Sequence, residues 1–338
     1  MRTVLQEPNG RMPPLRTIAP PYWPRDAGEP RRAAARRPAD PWRLYLEALQ
    51  SGARVPNACR PLDAVYGPLA HADATRPFVV AQLGQSLDGR IATVTGSSHY
   101  ISGPAALTHL HRLRALVDAV LVGIGTAVAD DPQLTVRHCA GESPVRVVLD
   151  PSGRLPAALR CLADDGPPVL VIRRAGPGVT ACDRIVPVAA GADGRLDPRA
   201  IVEALAARGL RRILVEGGAQ TVSGFVAAGV VDRLYVTVAP LIIGSGTEGL
   251  RLPEIAALTE ALRPPTRVHV LADGDVLFDC DLAAARPAAL GGDDDDGRRL
   301  LAHRPPASLA DGDRGDRRDP TRHRDEQRAE RAGPEHAV

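Results

Sequence analysis

Hydrophobic and polar positions alternate through the middle of this chain in blocks that read as strands and helices by turns. Apolar, β-branched runs at 78–83, 119–122, 145–149, 169–172, 184–188, 213–215 and 231–238 have strand length. Gly84, Gly123, Asp150-Pro151, Glu216-Gly217-Gly218 and Pro240 punctuate five of them. Between these lie helical patterns. One starts at a candidate cap, Ser102, and carries Leu107, Leu110, Leu113 and Leu116, with His109, His111 and Arg112 on other faces. Another runs from Asp197-Pro198 to Arg208 and stops at Gly209, and a third follows Gly218 as far as Ala228. Two last runs, 267–271 and 275–281, flank Ala272-Asp273-Gly274 and read as a hairpin. The pattern predicts an α/β fold: a mixed sheet flanked by helices, closed by a C-terminal antiparallel hairpin.

The ends read differently. Residues 1–75 form an extension rich in Pro and Arg that buries little and is expected to be mostly disordered. One short helix at 40–50 stands out in it, with Asp40 as cap, Pro41 at the first helical position, and Trp42, Leu44, Leu46 and Leu49 spaced along it. The folded domain is expected over 76–284. Residues 285–338 are a low-complexity charged tail containing the run Gly291-Gly292-Asp293-Asp294-Asp295-Asp296.

Composition narrows the chemistry. The formal net charge is +2, which argues against a dedicated nucleic-acid binder. Every basic residue is arginine, so no lysine is available for a Schiff base or a Walker A loop. Five scattered cysteines contain no Cys-x-x-Cys pair, and no apolar run is long enough to span a membrane. These features predict a cytoplasmic protein that binds no metal and no membrane.

Two stretches carry candidate chemistry. In 118–137, an apolar strand breaks at Gly123 and Gly125 into a polar loop with Thr126, Asp130 and Asp131, ending at Arg137. Glycines there let a ligand approach the backbone closely. The alternative is that Asp130 and Asp131 only cap the next turn. In 213–225, a buried strand feeds Gly217-Gly218 and then a helix, so free amides face outward at a positive helix end, an anion site suited to a pyrophosphate. This is not the G-x-G-x-x-G fingerprint, so a Rossmann domain is not supported. Glu216, at the strand's end, either accepts hydrogen bonds from a ligand or is a solvated loop acid. Arg114 and Arg137 are candidate phosphate forks, each otherwise a surface arginine. His109 and His111, two apart on a helix, cannot converge on one metal.

SLDGRIA (86–92), SHYISG (98–103), HRLRALVDAVLVGIGTAVADDPQLTVR (111–137), PVRVVLD (144–150), LVEGG (214–218) and VDRLYVTVAPLIIG (231–244) occur in that order. Together they resemble the reductase domain of the bacterial bifunctional riboflavin biosynthesis protein RibD, over about 77–282. The resemblance implies a dihydrofolate-reductase-like fold, a homodimer and NADPH-dependent reduction of 5-amino-6-(5-phosphoribosylamino)uracil, with hydride passing to the sugar C1′ of a ring-opened imine. It also implies that Gly84, Tyr100, Thr126, Asp130, Gly218, Ala219, Gln220, Thr221, Val222, Ser223 and Gly224 bind the cofactor. Ser98, Arg114, Leu134, Arg137 and Glu216 would bind the small-molecule phosphoribosylamino-pyrimidine, with Glu216 also the candidate catalytic group.

The chain departs from that family at Gln82, where members often carry lysine, and at Tyr100, where they often carry tryptophan. It shows no H-x-E with P-C-x-x-C for a zinc deaminase. Gln82 keeps open a second reading, a reductase of another pterin- or pyrimidine-like metabolite. A third is a non-catalytic NADPH-binding relative. Arg173 and Arg174, after the 169–172 strand, are candidates for the cofactor's 2′-phosphate.

Overall fold

The computed structural model describes residues 39–99, 101–164, 166–191 and 194–286. Tyr100, the 1–38 segment and the charged tail from 287 lie outside the described residues. In chain order the elements are α1 (Pro41–Ser51), α2 (Arg60–Ala70), β1 (Phe78–Ser86), β2 (Arg90–Thr93), α3 (Pro104–Arg114), β3 (Ala119–Gly123) and α4 (Ile124–Asp130). Then come β4 (Val145–Leu149), β5 (Val169–Arg174), β6 (Ile185–Val188), α5 (Pro198–Ala206), β7 (Arg212–Glu216) and α6 (Ala219–Ala227). The chain continues through β8 (Arg233–Ala239), β9 (Gly246–Glu248), β10 (Thr266–Val270) and β11 (Val276–Asp281).

Nine strands form one sheet in the order β10-β11-β8-β1-β7-β3-β4-β5-β6. Strands β8, β1, β7, β3, β4, β5 and β6 run parallel, whereas β11 pairs antiparallel with both β8 and β10. The mixed sheet and its closing hairpin are as the pattern predicted. Alternation along each strand assigns the two faces. Val79, Ala81, Leu121, Ile213 and Val215 pack with Ile201, Leu205, Val222 and Phe225 of α5 and α6. Val80, Val120, Val122 and Leu214 pack on the other face with Trp42, Tyr45, Tyr66, Leu69 and Leu113 of α1, α2 and α3. Burying each such aliphatic side chain contributes about 1.5–3 kcal/mol.

Several expectations are corrected. Strand β1 continues through Gly84 to Ser86, and β5 includes Arg173 and Arg174 rather than ending before them. Residues 124–130, read as a loop, form α4. The N-terminal segment holds a second helix, α2, in addition to α1, whose Asp40 cap accepts from the Trp42 amide at 3.0 Å. Two prolines and a glycine in α2 (Pro61, Gly67, Pro68) hide it from propensity. Burial of Tyr66 and Leu69 stabilises it instead. Helix α3 starts at a Gly103 cap, not Ser102. Asp275 accepts from the Gly103 amide at 2.8 Å and Asp273 from the Ala105 amide at 2.7 Å, so the distant hairpin supplies the carboxylates. His109 and His111 are both buried within the fold.

Candidate active site

In a parallel sheet every strand ends on the same edge, and here the carboxyl ends of β1, β7, β3, β4 and β5 lie side by side. Glu216 is the last residue of β7 and shares side-chain parity with Leu214, so it faces α3. There Arg114, the last residue of α3, meets it. Arg114 Nε donates to Glu216 Oε1 and Nη2 to Oε2, both at 2.7 Å, while Nη1 donates to the Thr135 carbonyl at 3.0 Å. Both side chains are 6% exposed. Burial alone would lower the Arg114 pKa, but the Glu216 charge and hydrogen bonds outweigh it and the net shift is upward. The Arg114 fork therefore grips Glu216 and is not an open phosphate fork. Gln82 of β1 stands in register beside Glu216, on the same face and buried.

The β3–α4 and β7–α6 junctions interlock next to this pair. Gly218 N–H donates to Thr126 Oγ1 at 2.8 Å. Gly217 has φ 88, and a Cβ on it would lie 2.7 Å from Thr126 Cγ2, so both conformation and space require glycine. Reciprocally, a Cβ on Gly123 would lie 2.5 Å from Thr221 Oγ1. The first amides of α6, those of Ala219 and Gln220, have no acceptor within the helix by its geometry. That end of the helix carries a partial positive charge. Val222 and Ser223, assigned to the same ligand from sequence, are buried one turn further in, and Ser223 Oγ accepts from the Arg251 amide at 2.8 Å. Gly224 lies exposed beyond them. Gly84 sits where a Cβ would fall 2.5 Å from Ser102 Oγ, so it admits the Ser102 side chain just ahead of α3. Ser98 Oγ donates to Asp130 Oδ1 at 3.3 Å, linking two residues assigned to different ligands.

Beyond α4 the chain takes two left-handed residues, Asp131 (φ 39) and Leu134 (φ 57). Arg160 anchors the first: its amide donates to Asp131 Oδ1 at 2.7 Å. The Leu134 side chain is buried at 1% exposure, so it is a core group and not an open ligand contact. Arg137 is exposed, and its Nη1 donates to Thr135 Oγ1 at 2.8 Å. Partial burial and then the positive Arg114 and Arg160 lower its pKa. That repulsion marks a locally positive surface, favourable for an anion. The Arg137 amide donates to His111 Nδ1 at 2.9 Å. Burial, followed by Arg114, His138 and Arg137, pushes the His111 pKa down to about 3, so the ring is neutral and Nδ1 is free to accept. No sequence signal singled out His111 for this part; its role depends on a residue 26 positions away.

The turn Ser86-Leu87-Asp88-Gly89 is structural in its contacts. Asp88 accepts from Ser86 Oγ at 2.6 Å and from the Ile243 and Gly244 amides at 3.1 and 2.7 Å, and these bonds hold its pKa at about 2. Among the described residues no group of three His, Cys, Asp or Glu side chains could hold a metal ion. No described helix is long and apolar enough to cross a membrane. A cavity of ≈ 280 Å³ lined by Arg76, Arg199, Asp232 and Arg286 lies at the opposite edge, at the amino ends of β1 and β8, away from this site.

Comparison with known proteins bears on the same edge. The family described as the RibD C-terminal domain matches residues 77–263. The chain is 38% identical over 174 residues to the 2,5-diamino-6-ribosylamino-4(3H)-pyrimidinone 5′-phosphate reductase of Methanothermobacter thermautotrophicus, covering 50% of this chain and 80% of that protein. It is 34% identical over 207 residues to the riboflavin biosynthesis protein RibD of Aquifex aeolicus, covering 60% of this chain and 57% of that one. Among solved structures, the deaminase/5-amino-6-(5-phosphoribosylamino)uracil reductase of Thermotoga maritima superposes with a TM-score of 0.52 at 25% identity, covering 66% of this chain and 62% of that one. The RibD of Acinetobacter baumannii gives a TM-score of 0.53, also at 25% identity, covering 70% of this chain and 67% of that one. The match of more than half the chain, on the segment that carries β1 to β9 and the Arg114–Glu216 pair, shows that the protein belongs to the RibD C-terminal domain family.

Proposed function

We propose that this protein is an NADPH-dependent oxidoreductase of riboflavin biosynthesis that reduces a phosphoribosylamino-pyrimidine. The observation that carries this reading is the buried Arg114–Glu216 pair, set between the α6 amino terminus on one side and the Arg137 loop on the other. NADPH, when bound, supplies the hydride. Thr126, Gly218 and the amides of Ala219 and Gln220 would hold its pyrophosphate, with Gly84, Asp130 and Thr221 along its path. Arg137 would hold the substrate phosphate, and Ser98 would line the sugar. Glu216, locked in orientation by Arg114, presents a fixed carboxylate to the substrate, and orientation of this kind is what a protein adds to cofactor chemistry.

Arg173 and Arg174 end β5 on the same edge as the site, and the Arg173 guanidinium lies against Gly153, where a side chain would collide with it. That placement supports a role for them in holding a 2′-phosphate and so in preferring NADPH over NADH. A homodimer is part of the reading. Val268 and Val270 are exposed on the edge strand β10, and Leu258 and Leu262 in the segment leading to it, a surface that a second copy would cover. Cys59 and Cys161 are free buried thiols, which supports a reducing, cytoplasmic setting.

The pyrimidine itself divides into two cases. The first is 5-amino-6-(5-phosphoribosylamino)uracil. The higher identity of the Methanothermobacter relative, over a larger share of that relative's own length, favours its 2,5-diamino-pyrimidinone counterpart as the second reading, and the position of Gln82 beside Glu216 supports a part for it in the choice. Substrate-dependent NADPH oxidation by the purified protein, run with both pyrimidines, tests this: turnover of one with at least ten-fold higher kcat/KM identifies the substrate. NADPH binding without turnover of either removes the enzymatic reading.

A further inference from the structure

The loop that carries Arg137 has no strand or helix of its own between α4 and β4, yet it is tied down along its length, by Arg160 at Asp131 and by Arg114 at the Thr135 carbonyl among others. Arg137 N–H donates to His111 Nδ1 at 2.9 Å, and Val136 N–H donates to Ser143 Oγ at 3.0 Å. A further tie comes from outside the family match. Trp42 Nε1 of α1 donates to the Ala140 carbonyl at 2.7 Å, and α1 ends before residue 77, where the match begins. Trp42 is 1% exposed, and the Arg112 guanidinium stacks 5.2 Å above its ring. Next to Ala140, Gly141 adopts φ 134, and a Cβ on it would lie 2.5 Å from Ala115 Cβ and 3.8 Å from Leu46 Cδ1. The loop is thus wedged between α1 and the end of α3.

We infer that Trp42 and His111 are positioning residues for Arg137, so that α1, outside the matched domain, is a working part of the phosphate end of the substrate site. The physical reason is entropic. Each unrestrained loop residue that must be ordered on binding weakens the complex, and a loop ordered in advance avoids that cost. His111 can accept the Arg137 amide proton only while its ring is neutral, and its enclosure keeps it so. Neither residue touches the cofactor side. Their removal should therefore change the affinity for the phosphosugar end and leave nucleotide binding alone.

This inference rests on the phosphosugar role proposed for Arg137, and ribose 5-phosphate, which carries that end without the pyrimidine, separates the two. Trp42→Phe removes the donor and keeps the ring. His111→Leu removes the acceptor, and His111→Asn returns one near the Nδ1 position. Ser143→Ala loosens the same loop without touching the core, in case the other variants fold poorly. The expected result is about a five-fold weaker affinity for ribose 5-phosphate by calorimetry, and about a five-fold higher KM for the pyrimidine, in Trp42→Phe, His111→Leu and Ser143→Ala. His111→Asn should recover most of both, with KM for NADPH and kcat unchanged throughout. Wild-type values of both quantities in all three variants overturn the inference, as does an equal rise in KM for NADPH, which would mark a general loosening. If the wild type binds ribose 5-phosphate but turns over neither pyrimidine, the functional reading fails and the calorimetric series alone decides the inference. If it neither binds nor reacts, both fall.

Discussion

Replacing Glu216 by leucine should destabilise this protein by roughly 3–5 kcal/mol, because it leaves the Arg114 guanidinium buried with one carbonyl partner. The two charges contact through two bonds of 2.7 Å with both side chains 6% exposed. At a charge separation of about 4 Å and an effective dielectric of about 20 their attraction is roughly 4 kcal/mol, which agrees with that range. For a domain of this size the loss corresponds to a fall in Tm of about 10 °C. Arg114→Met should cost a similar amount by stranding the carboxylate. The double variant Arg114→Met/Glu216→Leu should recover most of the stability, since two apolar side chains leave no charge unpaired, and the coupling should be about 2–4 kcal/mol. Urea unfolding of the four proteins measures the cycle. Single variants within about 1 kcal/mol of wild type would show that the pair is effectively solvated and refute the reasoning. A double variant that is stable yet still oxidises NADPH with substrate would remove the pair from the site.

Thr126→Val leaves the Gly218 amide without its acceptor and should weaken NADPH binding about five- to ten-fold, read by nucleotide fluorescence; an unchanged Kd counts against the α6 terminus as the pyrophosphate site. Gly217→Ala forces a side chain onto φ 88 and to 2.7 Å from Thr126 Cγ2, and should cost about 1–3 kcal/mol in denaturant unfolding. The double variant Arg173→Ala/Arg174→Ala should reduce the NADPH over NADH preference about ten-fold, and an unaltered ratio in steady-state assays dismisses the 2′-phosphate role. His109 and His111 are pushed from the ordinary 6.5 to about 3 by burial, so the unfolded chain binds more protons than the folded one between those values. Their contribution is intact above the unfolded pKa and is lost as pH falls through that window, at up to about 1.4 kcal/mol per pH unit for each histidine. His111→Asn should flatten the pH dependence of stability between about pH 6 and 4 by that slope, and an unchanged slope would show that the ring is not held neutral.

Much of the edge was legible because it is written in local signals. Gly217-Gly218 after an apolar strand identified the β7–α6 junction, and the run ending at Gly123 identified β3, since both depend on glycine at positions a side chain would block. Thr126 and Asp130 were named as site residues, although α4, on which they sit, was read as a loop. Arg114 and Glu216 were each named too, but as independent ligand groups. Their pairing joins residues 102 positions apart, and no periodicity reports such a contact. The parts played by His111 and Trp42 are illegible for the same reason, since their partners lie 26 and 98 positions away.

The sequence by itself determined where the strands of the main sheet run and which family the chain resembles, because apolar runs and glycine punctuation act over a few residues. The tertiary structure alone decided what the polar groups do. It closed the Arg114 fork on Glu216 and turned a proline-bearing segment into α2 by burying Tyr66 and Leu69. It also brought α1 against the Arg137 loop through Trp42. Those outcomes are set by desolvation and by partners brought together only when the sheet forms, and neither is encoded at the spacing of a local motif.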